Sequence, residues 1–308
     1  MSEHATPLTP QQLEPIDPGL AVGGVRLAVS DLARSVDFYE RILGLPVIAR
    51  DHGVATLGAG GERAALTLEG LDEAAPVPVG STGLFHVAWL HPTRAALADT
   101  VHRVAHARWP LEGASDHGVS EAIYLADPDG LGIEIYADRP RAQWERTSDG
   151  GVHMFTSPLD VEDLLAQSAR ELVPAIAPGT RVGHVHLKVS SVPRSVAFYR
   201  DALGFSLRAE MPSAAFLAAD DYHHHVGANS WQSAGAAPPP ADSPGLRRVE
   251  FDLSDEHALT GLEATLSAAG GHPGFARWPI SDRSISDRSR RLEVEDPDGH
   301  ALAFLARG

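Results

Sequence analysis

Cysteine is absent from the 308 residues. This excludes disulfides, thiolate nucleophiles and cysteine-ligated zinc or iron–sulfur centres. Any bound metal must therefore be held by His, Asp or Glu, and 16 histidines supply such ligands. Positive charge is scarce: 25 Lys and Arg stand against 41 Asp and Glu, a formal net charge of −16. Nucleic acid and anionic membrane surfaces both require a basic face, so neither is an expected partner. No apolar run reaches the ~20 residues needed to cross a bilayer. The opening stretch, MSEHATPLTPQQLEPIDPGL, has no basic segment followed by an apolar one. Residues 1–20 thus read as a polar, Pro-rich arm and not as a signal peptide, and the expected compartment is the cytoplasm.

Repetition supplies the organisation. Residues 24–45, GVRLAVSDLARSVDFYERILGL, match residues 184–205, HVHLKVSSVPRSVAFYRDALGF, at a displacement of 160 positions from Arg34 to Arg194. YLADPDGLGIEIY at 124–136 matches EVEDPDGHALAFL at 293–305 at a displacement of 169. The chain divides into two halves of two modules each. Val25, Leu27 and Val29 alternate as in a half-buried strand. Asp31 can cap a helix whose apolar positions are Leu32, Val36, Tyr39, Ile42 and Leu43, and Gly44 ends it. Strands are expected at 47–50, 55–57 and 64–68, giving β-α-β-β-β. A second module reads as a strand at 84–90, a helix at 94–107 and strands near 122–125 and 132–136. The third spans about 182–231 and the fourth about 246–306. The fold class is thus α+β. The expected organisation is a first two-module domain at 21–138, a linker at 139–181 with an amphipathic helix at 161–172, and a second two-module domain at 182–308. SAGAAPPPADSPG at 233–245 is a loop between modules three and four.

Strand alternation selects the candidate ligands. His184, His186 and Lys188 alternate with Val185, Leu187 and Val189 and face away from the helix side. His86 lies between Phe85 and Val87. Glu134 is flanked by Ile133 and Ile135, a costly place for a carboxylate unless it is paired or ligated. A lone residue of this kind is more often a satisfied polar group on an exposed sheet face. Three at equivalent positions, His86, Glu134 and His184, match the two-histidine, one-carboxylate triad that holds non-haem Fe(II) with open positions. The FY pairs, Phe38–Tyr39 and Phe198–Tyr199, lie on helices and read as core.

Four such modules with RSVxFYxxxLG and DPDGxxIE signatures resemble the vicinal oxygen chelate superfamily, over nearly the whole chain after about residue 20. The resemblance implies two curved mixed sheets, each built from two modules, with a metal in a concave face. Within that superfamily, GHVHLKV with His184, LFHVAW with His86 and DPDGLGIEIY with Glu134 are similar to the three ligand segments of type I extradiol ring-cleavage dioxygenases. FLAADDYHHHVGA is similar to their strand ending in paired histidines, which gives the acid–base role to His224. Asp116, His117 and Tyr124 are similar to a further DH and Tyr, although the spacing between them is two residues longer than the pattern. Modules one and four depart from it, with Gly24, Arg248 and Ala303 at the ligand positions. The complete set therefore requires module two to pair with module three, with the metal between them.

The resemblance implies extradiol opening of a small aromatic diol by O₂ at Fe(II), with Mn(II) suited to the same ligands. His224 would move protons, Tyr124 would hydrogen-bond a substrate oxygen and His117 would line the pocket. Alternation would turn His223 and His225 to the face opposite His224. Two rivals stay open: a glyoxalase-type metal-dependent isomerase or lyase, and a non-catalytic protein that binds an aromatic compound or drug. The ring substituents, and whether identical chains assemble into an oligomer, are not set by the sequence.

Overall fold

The computed structural model describes residues 14–60, 63–148, 150–169, 171–269, 281–284 and 290–307. Module one comprises β1 (Ala21–Val29), α1 (Leu32–Arg41), β2 (Val47–Asp51), β3 (Val54–Gly58) and β4 (Ala64–Gly70). Module two comprises β5 (Gly83–His91), α2 (Arg94–His106), β6 (Gly113–Asp116), β7 (Ser120–Ala126) and β8 (Gly132–Asp138). The linker carries the two-residue β9 (Ser157–Pro158) and α3 (Val161–Leu165). Module three comprises β10 (Arg181–Lys188), α4 (Val192–Val196) continuing as a π turn over Ala197–Ala202, β11 (Ser206–Met211), β12 (Ala214–Ala218) and β13 (Val226–Asn229). Module four comprises β14 (Gly245–Leu253), α5 (Glu256–Ala269), β15 (Ser281–Ser284), β16 (Arg290–Glu295) and β17 (Ala301–Ala306).

Two mixed, curved sheets result, and each joins modules distant in sequence. The nine-stranded sheet runs β11-β12-β13-β10-β5-β8-β7-β6-β9, from modules three and two. The eight-stranded sheet runs β15-β16-β17-β14-β1-β4-β3-β2, from modules four and one. At each centre two first strands pair antiparallel, β10 with β5 and β1 with β14. The apolar faces of these four strands pack with α1, α2, α4 and α5 in one continuous core. Val87, Trp89, Val185 and Leu187 lie on that side, which leaves the alternate residues to the concave face.

The two repeated motifs are each other's partners. Tyr39 of the first RSVxFY helix donates to Asp127 of the first DPDG turn at 3.1 Å, and Arg34 pairs with Asp129 at 2.6 Å. Tyr199 donates likewise to Asp296 at 3.1 Å, and Arg194 pairs with Asp298 at 2.8 Å. These contacts join module one to two and three to four, while the sheets join two to three and one to four. Each module is thus held on two sides by different neighbours.

The linker differs from expectation. Its helix is one short turn, Val161–Leu165, capped by Asp160, and does not extend to residue 172. Asp99 accepts the Ala169 N–H at 2.6 Å and draws the chain away. Buried Arg103 on α2 then gathers the carbonyls of Ile42, Val173 and Ala175. A polar clasp takes the place of a longer amphipathic helix. Of the N-terminal arm, residues 1–13 lie outside the described residues; Ile16 and Leu20 are buried, and Ile16 N–H donates to the Gly204 carbonyl at 3.0 Å.

Candidate metal centre and substrate pocket

Sheet register assembles the site. His184 lies opposite Ala88, Ala88 beside Glu134, and Glu134 opposite Tyr124. His86 lies opposite His186. Strands β10, β5, β8 and β7 therefore present His184, Glu134 and Tyr124 in a row across the concave face, with His86 in the next register step. All three candidate ligands are buried.

His86 Nε2 lies 3.0 Å and His184 Nε2 3.3 Å from Glu134 Oε2. Neither approach has hydrogen-bond geometry, and both nitrogens lack a hydrogen-bond partner. One donor atom from each residue falls within a 4.8 Å group. A buried polar atom left unmade costs about 1–3 kcal/mol. Two such nitrogens converging on one carboxylate oxygen, neither hydrogen-bonded to it, fit a divalent cation, which would satisfy both and pair with the carboxylate. Burial alone would raise the Glu134 carboxyl, but the His184 and His86 imidazoles outweigh it and hold it well below the usual carboxylate range. Burial brings His184 down to about 4. An anionic carboxylate beside a neutral imidazole is the protonation state a metal needs.

The triple histidine does not follow strand alternation. His223, His224 and His225 form the bend before β13, so backbone dihedrals free of the strand period aim each ring. His224 stacks against His184 with ring centroids 4.0 Å apart. His223 is not on the opposite face: its Nδ1 lies 2.7 Å from His224 Nδ1, and His184, His223 and His224 make a second potential ligand trio. His225 does turn away, its Nδ1 accepting the Ala219 N–H at 3.2 Å.

The chain of contacts fixes tautomers. His223 Nε2 lies 3.1 Å from Asp138 Oδ1 and can only donate to it. In a neutral pair His223 Nδ1 then accepts, His224 Nδ1–H donates, and His224 Nε2 keeps its lone pair. Burial, reinforced by the histidines around it, pushes His224 well below its ordinary value, so it rests as a base and does not titrate near neutrality. His117 is fixed the same way. Its Nδ1 donates to the Phe155 carbonyl at 2.8 Å, and its Nε2 accepts the Tyr124 hydroxyl at 2.6 Å. Burial and the nearby Glu134 carboxylate push Tyr124 up, so it is a neutral phenol. Asp116, of the same DH pair, is bound to Arg139 at 2.7 Å and points away from this chemistry.

A cavity of about 370 Å³ opens onto His86, Glu134, Tyr124, His117, His223 and His224. Phe85, Phe216, Met154, Met211, Phe155 and Trp231 add an apolar wall. His186 also lines it, a residue that strand alternation turns to this face without indicating a role. It is buried, its Nε2 has no hydrogen-bond partner, and its ring lies 5.0 Å from that of His86. In the sheet's internal symmetry Gly227, beside His186, occupies the place that Glu134 holds beside Ala88. A Cβ at Gly227 would sit 2.9 Å from the His186 ring, so glycine there makes room for the imidazole. In the eight-stranded sheet, Arg248, at the position of His86, pairs with Glu250, and Arg26 pairs with Glu69.

The fold is built from paired βαβββ modules, and its buried His and Glu donor set could hold a metal ion. The family model of the Glyoxalase/Bleomycin resistance protein/Dioxygenase superfamily matches residues 21–135 and 181–304, and the chain belongs to that superfamily. The chain is 40% identical over 288 residues to the catechol-2,3-dioxygenase of Bacillus subtilis (strain 168), covering 92% of this chain and 96% of that protein. Glyoxalase I from Zea mays shares the fold at 17% identity, with a TM-score of 0.59 over 94% of this chain and 92% of that one. The cppA protein of Streptococcus pneumoniae shares it at 11% identity, with a TM-score of 0.56 over 93% of this chain and 100% of that one.

Proposed function

We propose that this protein is an extradiol ring-cleaving dioxygenase that opens a catechol-type diol with O₂, using Fe(II) held by His86, His184 and Glu134. The observation that carries this reading is the convergence of those three donor atoms beside a neutral His224 whose Nε2 lone pair is free. Its agreement with a catechol-2,3-dioxygenase at 40% identity over nearly the full length supports the same chemistry. In this reaction the ring bond adjacent to the diol breaks and both atoms of O₂ enter the product.

Iron held by His86, His184 and Glu134 would supply Lewis acidity toward the diol and one-electron chemistry toward O₂. The chain's residues manage binding and protons. His224 Nε2 accepts a proton from a substrate hydroxyl, and His223 with Asp138 keeps the tautomer that leaves this atom free. Tyr124, with its proton committed to His117 Nε2, offers its oxygen as an acceptor to the second hydroxyl. Phe85 and Phe216 enclose the ring and exclude water.

The arrangement weighs against a glyoxalase-type reaction that uses a second carboxylate ligand. The position symmetric to Glu134 is Gly227, and the His186 ring fills the space beside it. A binding protein without catalysis would have no use for a free base at His224.

The test is anaerobic loading with Fe(II), addition of catechol, then air. Ring opening gives a yellow product with one O₂ consumed per diol. Absence of product from catechol and its simple substituted forms sinks the reading. Glu134→Ala is expected to lose iron. His224→Ala is expected to keep iron and lose about 10²–10⁴ of turnover; loss of iron from that variant would mean that His224 is a ligand.

A further inference from the structure

The pocket that opens onto the ligands contains no Lys, Arg or Asp among its described lining residues. Its ionisable groups are the histidines, Tyr124 and Glu134, and the sole formal charge among them at neutral pH, apart from any carried by the imidazoles, is the Glu134 carboxylate. A carboxylate on the substrate ring would meet no guanidinium or ammonium, would lose its water, and would approach a chain of net charge −16.

The mouth is apolar as well. Eight large hydrophobic side chains are exposed among the described residues, and three of them, Phe155, Met211 and Trp231, line this one opening. They come from three separate segments: the stretch before β9, the end of β11 and the turn after β13. Apolar side chains gathered from different elements at a cavity entrance mark a binding surface, whereas single exposed ones are ordinary. The walls are held in place. Trp231 packs edge-on to Phe85 at 5.2 Å and against His186 at 5.6 Å. Phe155 lies over Gly118, where a Cβ would sit 2.6 Å from its ring.

We propose that the site is selective for uncharged catechols bearing an apolar substituent, an alkyl chain or a second ring, that extends along Phe155, Met211 and Trp231. This inference rests on the ring-cleavage reading. The diol sits at the metal ligands and the substituent replaces water at the mouth. Each buried methylene strengthens transition-state binding by about threefold to fourfold until the apolar wall ends. A ring carboxylate weakens it by about 100-fold or more.

The iron-loaded protein is tested with catechol, 4-methylcatechol, 4-butylcatechol, 3-phenylcatechol, 3,4-dihydroxybenzoate and 3,4-dihydroxyphenylacetate. The expected order of kcat/KM is alkyl or aryl above unsubstituted, and both far above carboxylated. Trp231→Ala and Met211→Ser are expected to flatten the series, cutting the ratio of 4-butylcatechol to catechol by about tenfold. Calorimetric titration of the metal-free protein with 4-butylcatechol and 3,4-dihydroxybenzoate gives a readout independent of turnover, with the butyl compound bound more tightly. Ring opening of catechol with equal turnover of the carboxylated diols, or with no gain from the butyl chain, overturns the selectivity and leaves the ring-cleavage reading standing. Failure to open any of the six diols overturns that reading and this inference with it.

Discussion

His223 and His224 are adjacent in the chain yet take different tasks, and hydrogen bonding assigns them. His224 faces His184 and keeps a free Nε2, while His223 spans the 2.7 Å to His224 and the 3.1 Å to Asp138. Asp138 lies near the surface end of the same strand, β8, that carries Glu134, so one element holds a ligand and the residue that orients the base. Asp138→Ala removes the acceptor and leaves His223 free to present either nitrogen. The expected outcome is a fall in kcat of about 10–100-fold with iron content unchanged. Iron assay and steady-state kinetics on one preparation check it; a parallel loss of iron would assign Asp138 to holding the sheet. Strand alternation places His225 away from His224, as found, but not His223 beside it, because the three histidines precede the strand. His86, Glu134 and His184 were legible for the opposite reason: each lies inside a long strand, where apolar neighbours fix the face.

At the scale of elements, the two DPDG turns have the same fold and opposite electrostatics. Burial raises the Asp127 carboxyl to about 6. At Asp296 burial also acts to raise the carboxyl, but His300, at 2.8 Å, reverses the effect and lowers it. The same contact raises His300 despite the opposing effect of its burial. The sign follows from linkage. The lowered Asp296 contributes stability that is present above its unfolded value and lost as pH falls. The raised His300 contributes stability present below its ordinary value of 6.5 and lost as pH rises through its higher folded value. The pair therefore stabilises most between about pH 4 and 6.5. His300→Leu, which copies Leu131 of the other turn, is expected to abolish the part of the stability loss that wild type shows above pH 6.5. Urea midpoints at pH 6 and pH 8.5 for both proteins check this, and an unchanged difference would refute it. Arg103 is the second device at this scale. It is buried and serves four carbonyls of two segments, those of Ile42, Leu43, Val173 and Ala175, so Arg103→Met leaves acceptors without donors. A loss of about 2–4 kcal/mol is expected in chemical denaturation. The spacing of Val161, Leu164, Leu165 and Leu172 fits a helix period and so predicts a long linker helix, while the Asp99 and Arg103 contacts that end it after Leu165 come from α2.

At the scale of the molecule, covalent neighbours and sheet neighbours differ. Modules one and two are consecutive but lie in separate sheets, joined through Tyr39–Asp127 and Arg34–Asp129. Cutting the chain between the halves leaves each sheet with one module and an open central edge at β1, β5, β10 or β14. A fragment of residues 1–140 is expected to be unstable alone and to bind no Fe(II), since His184 is missing. Co-expression with residues 141–308 is expected to restore a soluble complex with the iron content of the intact chain. Size exclusion and metal analysis check both outcomes, and stable iron binding by the first fragment would overturn this account.

The sequence by itself determined the four modules, because apolar periodicity and the repeated RSVxFY and DPDG motifs are local patterns that recur in the chain. It also determined which residues could be ligands, because alternation fixes the face of a strand and the absence of cysteine narrows the donors to His and carboxylate. Only tertiary structure decided that Tyr39 and Asp127 bind each other, that His223 orients His224, that His186 fills the space beside Gly227 and that Trp231 and Met211 border the substrate opening. Each of these depends on atoms tens to more than a hundred residues apart, or on a bend outside any regular element. Periodicity carries no information about either.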